Sequence, residues 1–157
     1  MGGATLNALM LGALALLLVS AGIEDVRTRE IANWKNATIA LLAPLWWWLN
    51  GLSPWPDLAI QLGVAIVVFA FFLAMFQVGG MGGGDVKMIG ALALWFPFQA
   101  LLWMLIVMSL IGGALTVLLL IERAVRRTKS AIEVPYGVAI AIAALISLPE
   151  RFLNHFL

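Results

Sequence analysis

Long uncharged apolar runs dominate this chain, and they leave it only one solvent. Leu6 to Ile23 is an apolar run of 18 residues without a charge, close to the roughly 20 that an α-helix needs to cross about 30 Å of hydrocarbon. Lipid offers no water to the backbone, so such a run must satisfy its own amides as a helix. Composition agrees, with 64% hydrophobic and 11% charged residues and a mean hydropathy of +1.07, where soluble domains hold about half and about a quarter. The expected fold is all-α integral membrane, one transmembrane domain over residues 1–157.

Six spans are expected, separated by charged or turn-rich segments. They are Leu6–Ile23, Ala37–Leu49, Leu58–Val78, a short fourth at Met88–Phe96 interrupted by Pro97, Leu101–Ile121, and Val134–Leu148. No Lys or Arg precedes the first, so it is expected to be retained and not cleaved as a signal peptide. The second is expected to kink at Pro44 and to end in an aromatic belt, Trp46-Trp47-Trp48. Gln61 and Gln77 fall near the ends of the third, where interfacial water would satisfy them, and Gly112-Gly113 would let a neighbouring helix approach the fifth.

Orientation follows from the positive residues, which stay cytoplasmic. Eight of the nine Lys and Arg lie in the segments after spans one, three and five, the densest group being Arg123, Arg126, Arg127 and Lys129; only Arg151 falls on the other side. A polytopic arrangement with both termini outside is therefore expected, N-out and C-out. The absence of cysteine excludes disulfides, thiolate nucleophiles and cysteine zinc sites. A net charge of +1 carries no bias toward nucleic acid. The single histidine, His155, is expected at the interface and not in catalysis.

Two acids interrupt this pattern. Asp85 follows the glycine-rich stretch Gly79 to Gly84, and Asp25 lies in the charged segment Glu24 to Lys35, which is expected to be a loop. Both fall on the cytoplasmic side of the expected topology, so they can meet. Acids beside membrane spans are costly and by default candidates for function. Two carboxylates held close share a proton, and the resulting acid and base can hydrolyse a peptide bond without metal or covalent intermediate. Other roles stay open on the residues alone: solvated loop acids, ion pairs with neighbouring arginines, a weak divalent-cation site, or a cation path in a small transporter or assembly factor without catalytic activity.

The motifs themselves resemble a known family. Gly82-Gly83-Gly84-Asp85-Val86-Lys87 is similar to the Gly-x-Gly-Asp signature of type IV prepilin peptidases, which are membrane aspartyl proteases. Asp25 to Asn33 resembles the family's first aspartate segment, with Ala32 where proline is frequent, a change expected to loosen the turn after Ile31. Val134 to Ala139 resembles the start of the family's last span. The resemblance implies catalytic Asp25 and Asp85, an active-site loop shaped by Gly82 and Gly84 with Lys87 nearby, and neither metal nor cofactor; it names no substrate-contacting residue. It further implies a multi-pass protein of the bacterial inner membrane that cuts the basic leader from prepilin and pseudopilin substrates at the cytoplasmic face. Lacking cysteine and a cysteine-bearing insertion, the chain resembles the short, peptidase-only members that serve tight-adherence (Flp-type) pili.

Overall fold

The structure, a computed structural model, describes residues 2–126 and 134–153, with side chains described as far as Leu148 in the last helix. Arg127, Lys129 and His155 lie outside the described residues. Among the described residues there are six α-helices and no strand: α1 (Gly2–Thr28), α2 (Asn33–Leu49), α3 (Ala59–Gln77), α4 (Gly83–Ala93), α5 (Phe98–Arg126) and α6 (Tyr136–Leu153). A single π-helical turn, Pro54–Leu58, leads directly into α3. Among the described residues three helical stretches are long and apolar enough to cross a bilayer: Gly2–Thr28, Pro54–Gln77 and Phe98–Arg126.

Side-chain pairings show which way each helix runs. Lys35 meets Glu24 at one end of α1 and α2, while Asn7 meets Asn50 at the other, so these two are antiparallel. α3 and α4 are antiparallel as well, because a Cβ on Gly83 would touch the Phe76 ring and Gln61 reaches Ala93 and Phe96. α6 runs opposite to α1, with Val138 beside Asp25 and Ala141 beside Gly22. α2 runs parallel to α4, with Asn36 at Gly84 and Trp47 at Leu94, so α1 to α4 alternate in direction and α6 runs with α2 and α4. Asp25 and Asp85 fall at the same end.

α4 has 11 residues and reaches only about 16 Å at 1.5 Å per residue, yet it is the most deeply buried helix. Val86, Met88, Ile89, Ala91, Leu92 and Ala93 are all buried, whereas α3, with 19 residues, buries only Ala65. The short helix is central because α2, α3 and α6 all pack against it. Protein around it also solves its ending. The last carbonyls of any helix lack partners, and in an apolar layer they must find them within the protein. Gln61 Nε2 donates to the carbonyls of Ala93 and Phe96, each at 2.7 Å, and Trp47 Nε1 donates to that of Leu94 at 2.8 Å.

These bonds correct two expectations. Gln61 is not satisfied by interfacial water but closes α4. Of the three consecutive tryptophans only Trp48 is exposed; Trp46 is buried and stacks on Trp95 with ring centroids 5.5 Å apart. A helix turns about 100° per residue, so three neighbours cannot all face lipid. α2 continues through Pro44. Gly112 allows the expected close approach, since a Cβ there would lie 3.0 Å from the Tyr136 ring, while Gly113 faces open space.

Helix ends move as well. α1 continues five residues past Ile23, so Asp25 stands in its last turn and not in a loop. Nothing breaks the helix until Arg29, whose φ of 58° puts it in the left-handed region that commonly closes helices. α3 closes in the same way at Gly79, φ 77°, with the amides of Gly79 and Gly80 bonded to the carbonyls of Phe76 and Met75. The glycine run is therefore half turn and half helix, because α4 begins at Gly83.

Candidate active site

Each acid is set by a helix terminus. Asp85 is the third residue of α4, whose N-cap is Gly82 in extended conformation. A carboxylate at this position reaches back to the N-cap amide, as in a capping box, and Asp85 does bond to the Gly82 backbone. Asp25 stands at the carbonyl end of α1, which disfavours negative charge, but its Oδ2 accepts the Val138 amide at 3.2 Å in the first turn of α6. The amino ends of α4 and α6 therefore converge on the two acids. Helix amino ends carry partial positive charge and favour an anion.

Both carboxyl groups are buried, Asp25 at 5% and Asp85 at 7% exposure, and they line the same two cavities. One, about 250 Å³, is bounded by Arg29, Ile31, Asn33, Gly82 and Gly84 besides the acids. The other, about 510 Å³, opens between the glycine turn, Thr28 to Glu30, Val134 and Tyr136. Burial first, and the charge of Asp25 second, push the Asp85 carboxyl up to about 7, against the opposing hydrogen bond to Gly82. Near neutral pH the coupled pair can then hold one proton between its two carboxyls. That is one acid and one base in a single cavity.

Close approach around the acids depends on glycine. A Cβ on Gly137 would lie 2.8 Å from Cγ of Asp25 and 2.8 Å from Cδ1 of Ile31, nearer than such atoms can come. A Cβ on Gly84 would press on Ile31 at 3.3 Å, and one on Gly82 would lie 3.0 Å from Oδ2 of Asp85. Ile31 is thus wedged between the first turns of α4 and α6, beneath the acids. Gly137 was not among the expected site residues. A glycine just after the start of a helix, where it costs conformational entropy, was the signal for it.

The segment between the first two helices is tied down, not loose. Glu24 Oε2 pairs with buried Lys35 Nζ at 2.9 Å and accepts the Ala32 amide at 3.1 Å, while Lys35 Nζ also donates to the Ser20 carbonyl at 3.1 Å. Proline at position 32 could not donate that bond, so alanine here does not loosen the turn as expected. Lys35 belongs to the interior, although the segment's charge suggested a solvated loop. Lys87 is turned away from the acids. Its Nζ donates to Asn33 Oδ1 at 2.7 Å, and Asn33, not Lys87, borders the acid cavity. Among the described residues no three His, Asp or Glu side chains gather as metal ligands would.

A helical bundle with membrane-length apolar helices and a buried pair of acids where two helix amino ends meet defines a membrane protein with an acid-pair site. More particularly, the chain belongs to the type IV leader peptidase family, whose sequence model matches residues 12–117, a stretch that contains both acids. The prepilin leader peptidase/N-methyltransferase of Aeromonas hydrophila is 38% identical over 69 residues, 44% of this chain and 23% of that protein. The aligned stretch thus spans less than a quarter of that relative's length. No solved structure gives a significant match to this chain.

Proposed function

We propose that this protein is a membrane-embedded aspartyl endopeptidase that removes the basic leader from type IV prepilins, of the Flp type, with Asp25 and Asp85 as its catalytic pair. The observation that carries the reading is the shared cavity of two buried acids at the meeting point of α4 and α6. Asp25, ionised, takes a proton from a water held between the carboxyls as the water oxygen attacks the scissile carbonyl carbon. Asp85, protonated, gives its proton to the carbonyl oxygen. The tetrahedral diol then collapses: its hydroxyl proton returns to Asp85, the C–N bond breaks, and Asp25 passes its proton to the leaving nitrogen, so that one water is consumed and both acids regain their starting states.

The bundle sits in the bacterial inner membrane with six crossings and both termini outside, which puts the acid end at the cytoplasmic face. The helix directions and the bias of positive residues toward the acid end support this. The short α4 crosses in a thinned, protein-surrounded region. A transport path would favour acids near the bilayer midplane, and here they stand at helix ends.

Purified protein incubated with a candidate prepilin tests the proposal. Asp25→Asn and Asp85→Asn should each abolish leader removal, and the double variant should be no worse than either single, since residues acting as one unit are non-additive. Cleavage should survive EDTA. Normal processing by either asparagine variant would overturn the reading in favour of a non-catalytic role.

A further inference from the structure

A third cavity, of about 540 Å³, lies outside the acid site, on the flank formed by α2, α3 and α4. α2 and α3 each pack on α4 but scarcely touch each other, so a trough runs between them with α4 as its floor. Every wall is one helical stripe two turns long, residues 33–40, 62–69 and 87–94, which makes the trough parallel to the helices and about 10 Å long. Small residues, Ala37, Ala40 and Ala65, line it on the α2 and α3 sides, while Gly90 in the floor lies under the Phe69 ring. Small residues allow helices in lipid to approach closely.

The trough is polar at one end only. Asn33, Asn36 and Lys87 stand toward the acids, and Asn33 borders both the trough and the acid cavity, so the two are neighbours. Asn36 is 4% exposed and donates to the Gly84 carbonyl at 3.0 Å, but its Oδ1 has no hydrogen-bond partner. A buried acceptor without a donor is costly. The first turn of any helix has the complementary problem, amides without acceptors.

We propose that this trough seats the apolar transmembrane helix of the substrate, with its first turn at Asn36 and the preceding extended segment leading past Asn33 to the acids. The inference rests on the leader-peptidase reading and takes the substrate to be a membrane protein whose apolar helix begins just after the bond that is cut. A lipid tail would fill the apolar part equally well but has no use for the asparagines or for sides of small residues. Seating the helix fixes which peptide bond reaches the cavity, so the trough sets register as well as affinity.

Two measurements on the full-length protein in phosphatidylethanolamine and phosphatidylglycerol vesicles test this. A photoreactive residue in place of the exposed Ile66 should, with prepilin present and Asp85→Asn to prevent turnover, yield an adduct within the prepilin's apolar helix. Ala37→Phe, which fills the trough from an exposed position, should raise the KM for prepilin at least tenfold with kcat within about twofold. Leu110→Phe, on the lipid-facing side of α5, should change neither. Cleavage by the unaltered protein with adducts only to lipid or to a second copy, and an unchanged KM in Ala37→Phe, would overturn the trough and leave the peptidase standing. An adduct to the prepilin helix without cleavage by the unaltered protein would do the reverse. Absence of both would remove the two together.

Discussion

At the scale of single residues, the site is a balance between burial and helix ends. Asp85 ordinarily titrates near 3.8 and is pushed to about 7, so the folded protein binds more protons than the unfolded chain between those values. Its contribution to stability is then greatest below about pH 4 and is lost as pH rises through 7. Asp85→Asn removes the titration and should be the more heat-stable protein at pH 8, the advantage closing toward pH 4.5; thermal unfolding in detergent at the two pH values measures this. Equal stability of the parent at both would contradict the raised carboxyl. The same proton should govern cleavage, which is expected to fall about tenfold per unit above pH 7 as Asp85 ionises, read from a pH series of kcat. Gly137→Ala puts a methyl where Asp25 and Ile31 already stand. It should lower cleavage at least tenfold while the protein still accumulates, and wild-type rates in that variant would show that Asp25 has room to move.

At the scale of elements, α4 departs most from what its length suggests. Eleven residues make a poor membrane crossing, yet α4 is the floor on which α2, α3 and α6 are laid. Its end is tolerated because Gln61 and Trp47 supply donors from neighbouring helices. Gln61→Leu keeps the volume roughly constant and removes two of the three bonds. It should destabilise by about 1–3 kcal/mol, the cost of buried carbonyls left without partners. Denaturant unfolding of the variant checks this, and Gln77→Leu at the other end of α3 should cost far less. The stretch from Thr28 to Asn33 belongs at this scale too. Its course is set by the Glu24 and Lys35 pair together with the left-handed Arg29, and it delivers Ile31 between the starts of α4 and α6, beside the acid pair.

For the molecule as a whole, the helix directions put both acids and the Glu24–Lys35 pair at one end. The proposed orientation makes that end cytoplasmic and exposes the Gly51 to Pro54 turn outside. The chain has no cysteine, so a single Ser53→Cys substitution reports its own side of the membrane. It should react with an impermeant thiol reagent in intact cells, while a cysteine placed at the exposed Val125 should react only after the cells are opened. The opposite pattern would invert the topology and carry the acids outside.

Hydropathy, proline and glycine placement and the two acid-bearing motifs were enough, in the sequence, for an all-helical membrane protein, the order of six helices and the acids as candidates. Those are local quantities, written in windows of a dozen residues. Helix ends were less legible, because α1 runs on to Thr28 and α4 starts within the glycines for want of any strong breaker. What tertiary structure alone decided was who meets whom. Asp25 is held by an amide 113 residues away in the chain, Gly137 makes room for it, Gln61 ends α4, and Lys87 looks onto the trough instead of the acids. No window contains such pairs. They depend on which faces of separate helices are brought together, and burial, once those faces close, is what turns an ordinary aspartate into one that keeps its proton near neutral pH.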